Sequence, residues 1–196
     1  MEYKILYQDA FPIIQATLQR GESIKAESDA MVTMSSTMDV EGNMEGGLLQ
    51  GLGRMLSGEK FFFQTINARR GPGEVLLAPS IPGGVIDVEL DGSYGLCVQK
   101  DGFLAGTEGI EVSTQMQNLT KGLFSGEGFF IVKIQGRGTV FVNAYGSIHA
   151  VNIPEKDEAQ RFRELFQKYR QAGPAHRADH QDHRVDPLEY AAFFEF

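Results

Sequence analysis

The residue types best suited to chemistry gather near the C-terminus, where His176, His180 and His183 alternate with Asp179 and Asp182. On a helix, positions i, i+4 and i+7 share a face, so three imidazoles would reach one Zn²⁺ or Ni²⁺. These three are the candidate metal ligands. The plainer reading of PAHRADHQDHR is a polar linker, because nothing in it buries a metal or orients the imidazoles from behind. His149, in Ser147-Ile148-His149-Ala150-Val151, falls on an expected strand and invites a cupin-like barrel. A centre of that kind takes paired histidines and a carboxylate on adjacent strands, and no His-x-His occurs. Ser57-Gly58-Glu59 and Ser125-Gly126-Glu127 set a hydroxyl beside a carboxylate twice. No histidine accompanies both as a base, so a Ser-Gly turn followed by a capping or pairing glutamate accounts for them. Gly51-x-Gly53 lacks the third glycine of a dinucleotide loop, and no Gly-Lys-Ser/Thr follows any glycine. No catalytic residue and no cofactor is expected.

The elements that would position these residues are mostly strands. Phe61-Phe62-Phe63 and Phe129-Phe130-Ile131-Val132 are short apolar runs bounded by glycine, the pattern of strands covered on both faces. Phe61, Phe63, Phe129, Ile131, Val140 and Val142 are expected core positions. Gly71-Pro72-Gly73, Pro82-Gly83-Gly84 and Gly136-Arg137-Gly138 read as turns. Between Val40 and Met55 runs a long glycine-rich loop carrying Met44, Leu48, Leu49, Leu52 and Met55. Long loops in compact domains are often functional, and this one is the candidate interaction loop, suited to a protein contact or a membrane surface. One helix is expected over 155–172. There Phe162, Leu165, Phe166 and Tyr169 form an apolar stripe, and Gly173-Pro174 ends it.

The order of these elements recurs. Leu56-Ser57-Gly58-Glu59-Lys60-Phe61-Phe62-Phe63 returns as Phe124-Ser125-Gly126-Glu127-Gly128-Phe129-Phe130-Ile131, and Gly73-Glu74-Val75-Leu76-Leu77 as Gly138-Thr139-Val140-Phe141-Val142. Upstream, Ile24 to Val32 matches Leu96 to Leu104. The expected organisation is a duplicated β region over 1–153, with units of about 3–90 and 91–153. A helix and His-rich linker fill 154–183. A partial third β unit over 184–196 follows, from the echo Arg184-Val185-Asp186-Pro187-Leu188. The fold class is mainly β, built of repeated β-sandwich or double-stranded β-helix-like units with one C-terminal helix.

Composition limits the function. With 196 residues, 42% hydrophobic and 22% charged, the chain can build a real core and is no disordered tail. The net charge is −8, which does not favour nucleic acid as a partner; Arg69-Arg70 is the only basic pair. One cysteine, Cys97, lies in an apolar stretch and reads as a small buried hydrophobe; the count suits a reducing cytoplasm. The N-terminus has neither the basic cap of a secretory signal nor the arginines of a transit peptide. Two function classes follow. The first is a non-catalytic scaffold or interaction protein, homo-oligomeric because repeated β units leave edges to cover, with a trimer suggested by the repeat number. The alternative is a cupin-like metal- or small-molecule-binding enzyme.

Several segments carry a resemblance. Ala30-Met31-Val32-Thr33-Met34, Gly46-Gly47, Leu52-Gly53-Arg54-Met55-Leu56-Ser57-Gly58-Glu59, Ala78-Pro79, Pro82-Gly83, Gly122-Leu123-Phe124-Ser125-Gly126-Glu127-Gly128 and Tyr145-Gly146 appear in this order. Over residues 1–153 the chain resembles the altered-inheritance-of-mitochondria protein 24 family. The resemblance implies β-sandwich units similar to the tryptophan RNA-binding attenuation protein, repeated within the chain. It implies no catalytic residues. Relatives continue into a third β unit where this chain has its helix and His-rich linker after Pro154.

Overall fold

The computed structural model describes residues 1–8, 11–43, 63–99, 101–117, 129–148 and 194–195. The described part is built of thirteen strands. They are β1 (Glu2–Leu6), β2 (Ile13–Leu18), β3 (Ser23–Glu27), β4 (Met31–Met34), β5 (Asp39–Asn43), β6 (Phe63–Asn67), β7 (Gly73–Leu77), β8 (Gly83–Asp91), β9 (Leu96–Gln99), β10 (Phe103–Thr107), β11 (Ile110–Gln117), β12 (Phe129–Tyr145) and β13 (Phe194–Glu195). The helix expected over 155–172, with its stripe of Phe162, Leu165, Phe166 and Tyr169, lies outside the described residues.

Two sheets result. The smaller runs β1-β2-β7-β4. The larger runs β13-β9-β12-β10-β3-β6-β5, with β11 and β8 also paired to β12. Every strand ladder is antiparallel. In β2 the sequence alternates, and so does burial: Ile14, Ala16 and Leu18 point inward. These residues meet Ile24, Ala26, Ile66, Val85 and Phe141 of the larger sheet in one core. A second core gathers Phe63, Leu96, Val98, Phe103, Val132, Ile134, Val140 and Val142. The sequence of β12 follows from this arrangement. Val140 and Val142 face one core and Phe141 the other, so an unbroken apolar run is required rather than an alternating one. Phe63, Val140 and Val142 are buried as expected. Phe61 lies outside the described residues, and Phe129 and Ile131 are placed on β12 by backbone alone.

Gly136-Arg137-Gly138 does not form a turn. It lies inside β12, where the strand bends from one set of neighbours to another. Before the bend β12 pairs β9 and β11; after it, β8 and β10. Gly136 has φ +113°, and a Cβ there would stand 2.0 Å from the Gly109 carbonyl oxygen. Glycine allows this bend because it admits a left-handed backbone and a close strand approach.

The pairing scheme occurs twice in the same register. Ile14 opposes Leu77, and Ile86 opposes Val142. Ile24 opposes Ile66, and Leu96 opposes Ile134. Asp39 opposes Asn67, and Glu111 opposes Gln135. Met31 opposes Leu77 with an irregularity before Thr33; Phe103 opposes Val142 with the same irregularity before Ala105. One constant interval in sequence separates β2, β3, β4 and β5 from β8, β9, β10 and β11.

Candidate interaction surface

Among the polar side chains with displaced titration, Tyr3 ties one strand to another. The Tyr3 hydroxyl donates to Asp87 Oδ2 at 2.9 Å. Burial, then the hydrogen bond and charge of Asp87 and the charge of Glu89, push the Tyr3 phenol up to about 12. The Thr139 hydroxyl donates to Glu89 Oε1, and the Tyr94 hydroxyl to the Glu89 carbonyl. Asp91 accepts from the Ser93 hydroxyl and backbone N–H, an Asx turn closing β8, and these bonds hold its carboxyl below the usual range. Glu22 is likewise lowered, first by its bond with the amino group of Met1. Burial raises the Cys97 thiol, against a smaller opposite pull from the Lys133 ammonium on β12. Cys97 is half-buried rather than a full core residue.

The one basic pair is spent on acids. Arg69 contacts Glu41 at 2.5 Å, and Arg70 contacts Asp39 at 2.9 Å while also donating to the Met38 carbonyl at 2.7 Å. Both acids lie on β5, so the guanidinium charges are met at the edge of the larger sheet instead of forming a basic face. That neighbourhood offers little to a phosphate backbone.

Apolar side chains are left outside. Tyr7, Phe11 and Val32 are 72%, 70% and 58% exposed. They share one end of the smaller sheet: the row Ile5, Ile14, Leu77 and Met31 crosses its four strands beside the β1–β2 connection that carries Tyr7 and Phe11. Tyr7 has φ 57°, an uncommon conformation for a bulky non-glycine residue. Val32 sits on β4, the edge strand of that sheet opposite β1. None of these three was singled out in the sequence as a contact residue; single exposed aromatics carry no pattern, and only the sheet order brings them to one end.

His149, His176, His180 and His183 lie outside the described residues, as do Ser57-Gly58-Glu59 and Ser125-Gly126-Glu127. Among the described residues no group of three His, Cys, Asp or Glu side chains could hold a metal ion. Met44, Leu48, Leu49, Leu52 and Met55 of the interaction loop also lie outside. The first residues of the expected Val40–Met55 loop are not loop: Val40 to Asn43 belong to β5, pairing β6 from Val40↔Ile66 to Asn43↔Phe63. No helix among the described residues is long and apolar enough to cross a membrane.

The relatives are proteins of the same general kind. An uncharacterised protein of Streptococcus pyogenes serotype M6 is 30% identical over 161 residues, covering 78% of this chain and 64% of its own length. A crystal structure of a second Streptococcus pyogenes protein, from a structural genomics programme, superposes with a TM-score of 0.60 at 27% identity. That match covers 74% of this chain and 65% of the other. The chain thus spans just under two thirds of the length of each relative. The model of the family described as mitochondrial biogenesis AIM24 matches residues 3–160, most of the chain. This chain therefore belongs to the mitochondrial biogenesis AIM24 family.

Proposed function

We propose that the chain is a non-catalytic scaffold that works by binding other protein surfaces, its own copies first among them. The observation that carries this reading is one end of the smaller sheet, where Tyr7 and Phe11 of the β1–β2 connection and Val32 of the edge strand β4 stay exposed. Exposed apolar groups next to an unfilled sheet edge are the usual makings of a strand-mediated contact. The register shared by the two halves supports a duplicated unit, and duplicated units carry matching edges that oligomers cover. The apolar residues Met44, Leu48, Leu49, Leu52 and Met55, which follow β5 in sequence, offer a second contact, to a partner or a membrane surface. A single cysteine suits a reducing compartment such as the cytoplasm. Sedimentation equilibrium of the full chain at micromolar concentration tests the reading. An assembly of several chains is expected; a single 21.7 kDa species throughout would overturn it.

A further inference from the structure

Two strands in corresponding places have different surroundings. β10 lies between β12 and β3, pairing β3 through Ala105↔Ala26, Gly106↔Lys25 and Thr107↔Ile24. Its counterpart β4 pairs β7 in the matching register and, among the described residues, takes no second strand. Burial records the difference. Leu104 and Ala105 are fully buried, whereas their counterparts Val32 and Thr33 are exposed. β4 thus carries an apolar side chain and a row of backbone groups of the kind that β10 covers with a strand like β3.

The strand that corresponds to β3 is β9, and it is the strand type that β4 needs. The outer edge of β9 is met by β13, two residues long, through Phe194↔Cys97 and Glu195↔Leu96. These are the positions on β9 that Gly106 and Thr107 take on β3. β13 therefore occupies part of the place of a β4-type strand, with fewer ladder positions than β10 makes on β3. Among the described residues one chain presents both halves of a complementary contact: a β4 with no second strand, and a β9 met by the short β13.

Resting on the scaffold reading above, we infer that β4 of one copy pairs antiparallel with β9 of a second copy in the register Thr33↔Val98, Met34↔Cys97 and Ser35↔Leu96, displacing β13. The contact is heterologous, so repetition closes a ring or extends a chain of copies. It covers Val32 as Leu104 is covered within the chain, and it gives the β4 edge its missing ladder.

The register supplies its own reporter, because residue 34 falls opposite the native Cys97, within the span that a disulfide bridges. The full-length M34C chain, oxidised with copper phenanthroline at micromolar concentration, is expected to form covalent dimers and larger species on a non-reducing gel. The double variant M34C/C97S is expected to remain unlinked, which distinguishes the proposed pair from two introduced cysteines meeting. Val32→Arg, at a side chain exposed in the single chain, is expected to dissociate the assembly with the melting temperature of the monomer retained. It tests the contact without touching the half-buried Met34. Removal of residues 194–196 is expected to tighten association at least several-fold by freeing β9. An assembly that persists in V32R, or that M34C fails to link through Cys97, overturns this contact and leaves the scaffold reading standing. A chain that is monomeric at every concentration overturns both. A disulfide within a single chain between cysteines placed at Met34 and Val185 assigns the β4 edge to the chain's own C-terminal residues and overturns the second copy as occupant.

Discussion

Tyr3 on β1 and Asp87 on β8 meet across 84 residues of sequence, the phenol donating to the carboxylate at 2.9 Å. The Tyr3 ring also stands edge-on to Phe141, with centroids 4.8 Å apart and planes at 87°. Through this one side chain β1, one of the two edge strands of the smaller sheet, is clamped to β8 and β12 of the larger. The ring supplies the apolar contact and the hydroxyl the directional one.

The clamp gives the protein an alkaline limit. The folded phenol holds its proton to about 12, above its ordinary 10.0, whereas the unfolded phenol releases it near the ordinary value. Between those values the folded state binds more protons, so stability is complete below pH 10 and falls as pH rises through 12. Tyr3→Phe removes this slope while keeping the ring on Phe141, and costs about 0.5–1 kcal/mol at neutral pH for the lost hydrogen bond. Denaturant midpoints measured from pH 9 to 12.5 check it: the wild-type curve should fall more steeply than that of the variant. Parallel curves would show that Tyr3 titrates normally.

Phe141 is the largest fully buried side chain among the described residues and joins the two sheets. Phe141→Ala should cost about 3–5 kcal/mol, since the cavity lies between sheets that cannot both collapse into it. Urea unfolding followed by circular dichroism reads the loss directly. A cost below about 1 kcal/mol would mean that this strand is not covered on both faces.

The inward strands were legible in the sequence because their apolar runs are bounded by glycine; Phe63, Val140 and Val142 are buried for that reason. The mainly β class was legible on the same grounds. The path of β12 was not. Two glycines around one arginine look alike whether they make a turn between strands or a bend within one, and only the neighbours of Gly109 and Thr107 decide for the bend. The clamp at Tyr3 was also hidden, because an alternating strand such as β1 does not announce which distant carboxylate its tyrosine will meet. The surface at Val32 was hidden for a related reason. Its sequence, Met31-Val32-Thr33-Met34, reads as an ordinary strand, and exposure follows from its place at the end of the sheet order.

Gly136 is the position where the bend in β12 admits least change. Alanine there faces both φ +113° and a backbone oxygen 2.0 Å from its Cβ, so neither rotamer choice nor side-chain movement relieves it. Gly136→Ala should destabilise the fold by about 1–3 kcal/mol or more from the backbone strain alone. Gly42, also a strand glycine, has nothing within 4 Å of the Cβ position and no positive φ, which makes Gly42→Ala the matched control. Thermal melts of the two variants should separate clearly; equal melting temperatures would show that β12 can straighten at no cost.

Cys97 gives the last prediction, because its two influences act in opposite directions. Burial raises the thiol, and the Lys133 ammonium opposite it on β12 lowers it by less. Alkylation proceeds through the thiolate, so Cys97 should react with iodoacetamide at pH 7.5 more slowly in the folded chain than in the urea-unfolded chain. Lys133→Met keeps the aliphatic stem over the strand and removes the charge, so it should slow the folded reaction further instead of speeding it. A pH series of the alkylation rate separates charge from access: the charge effect moves the midpoint of the profile upward, while a change in access scales the whole profile. An unchanged midpoint in Lys133→Met would show that the ammonium does not reach the thiol, and a faster reaction would show that the ammonium shields Cys97 instead of favouring its thiolate.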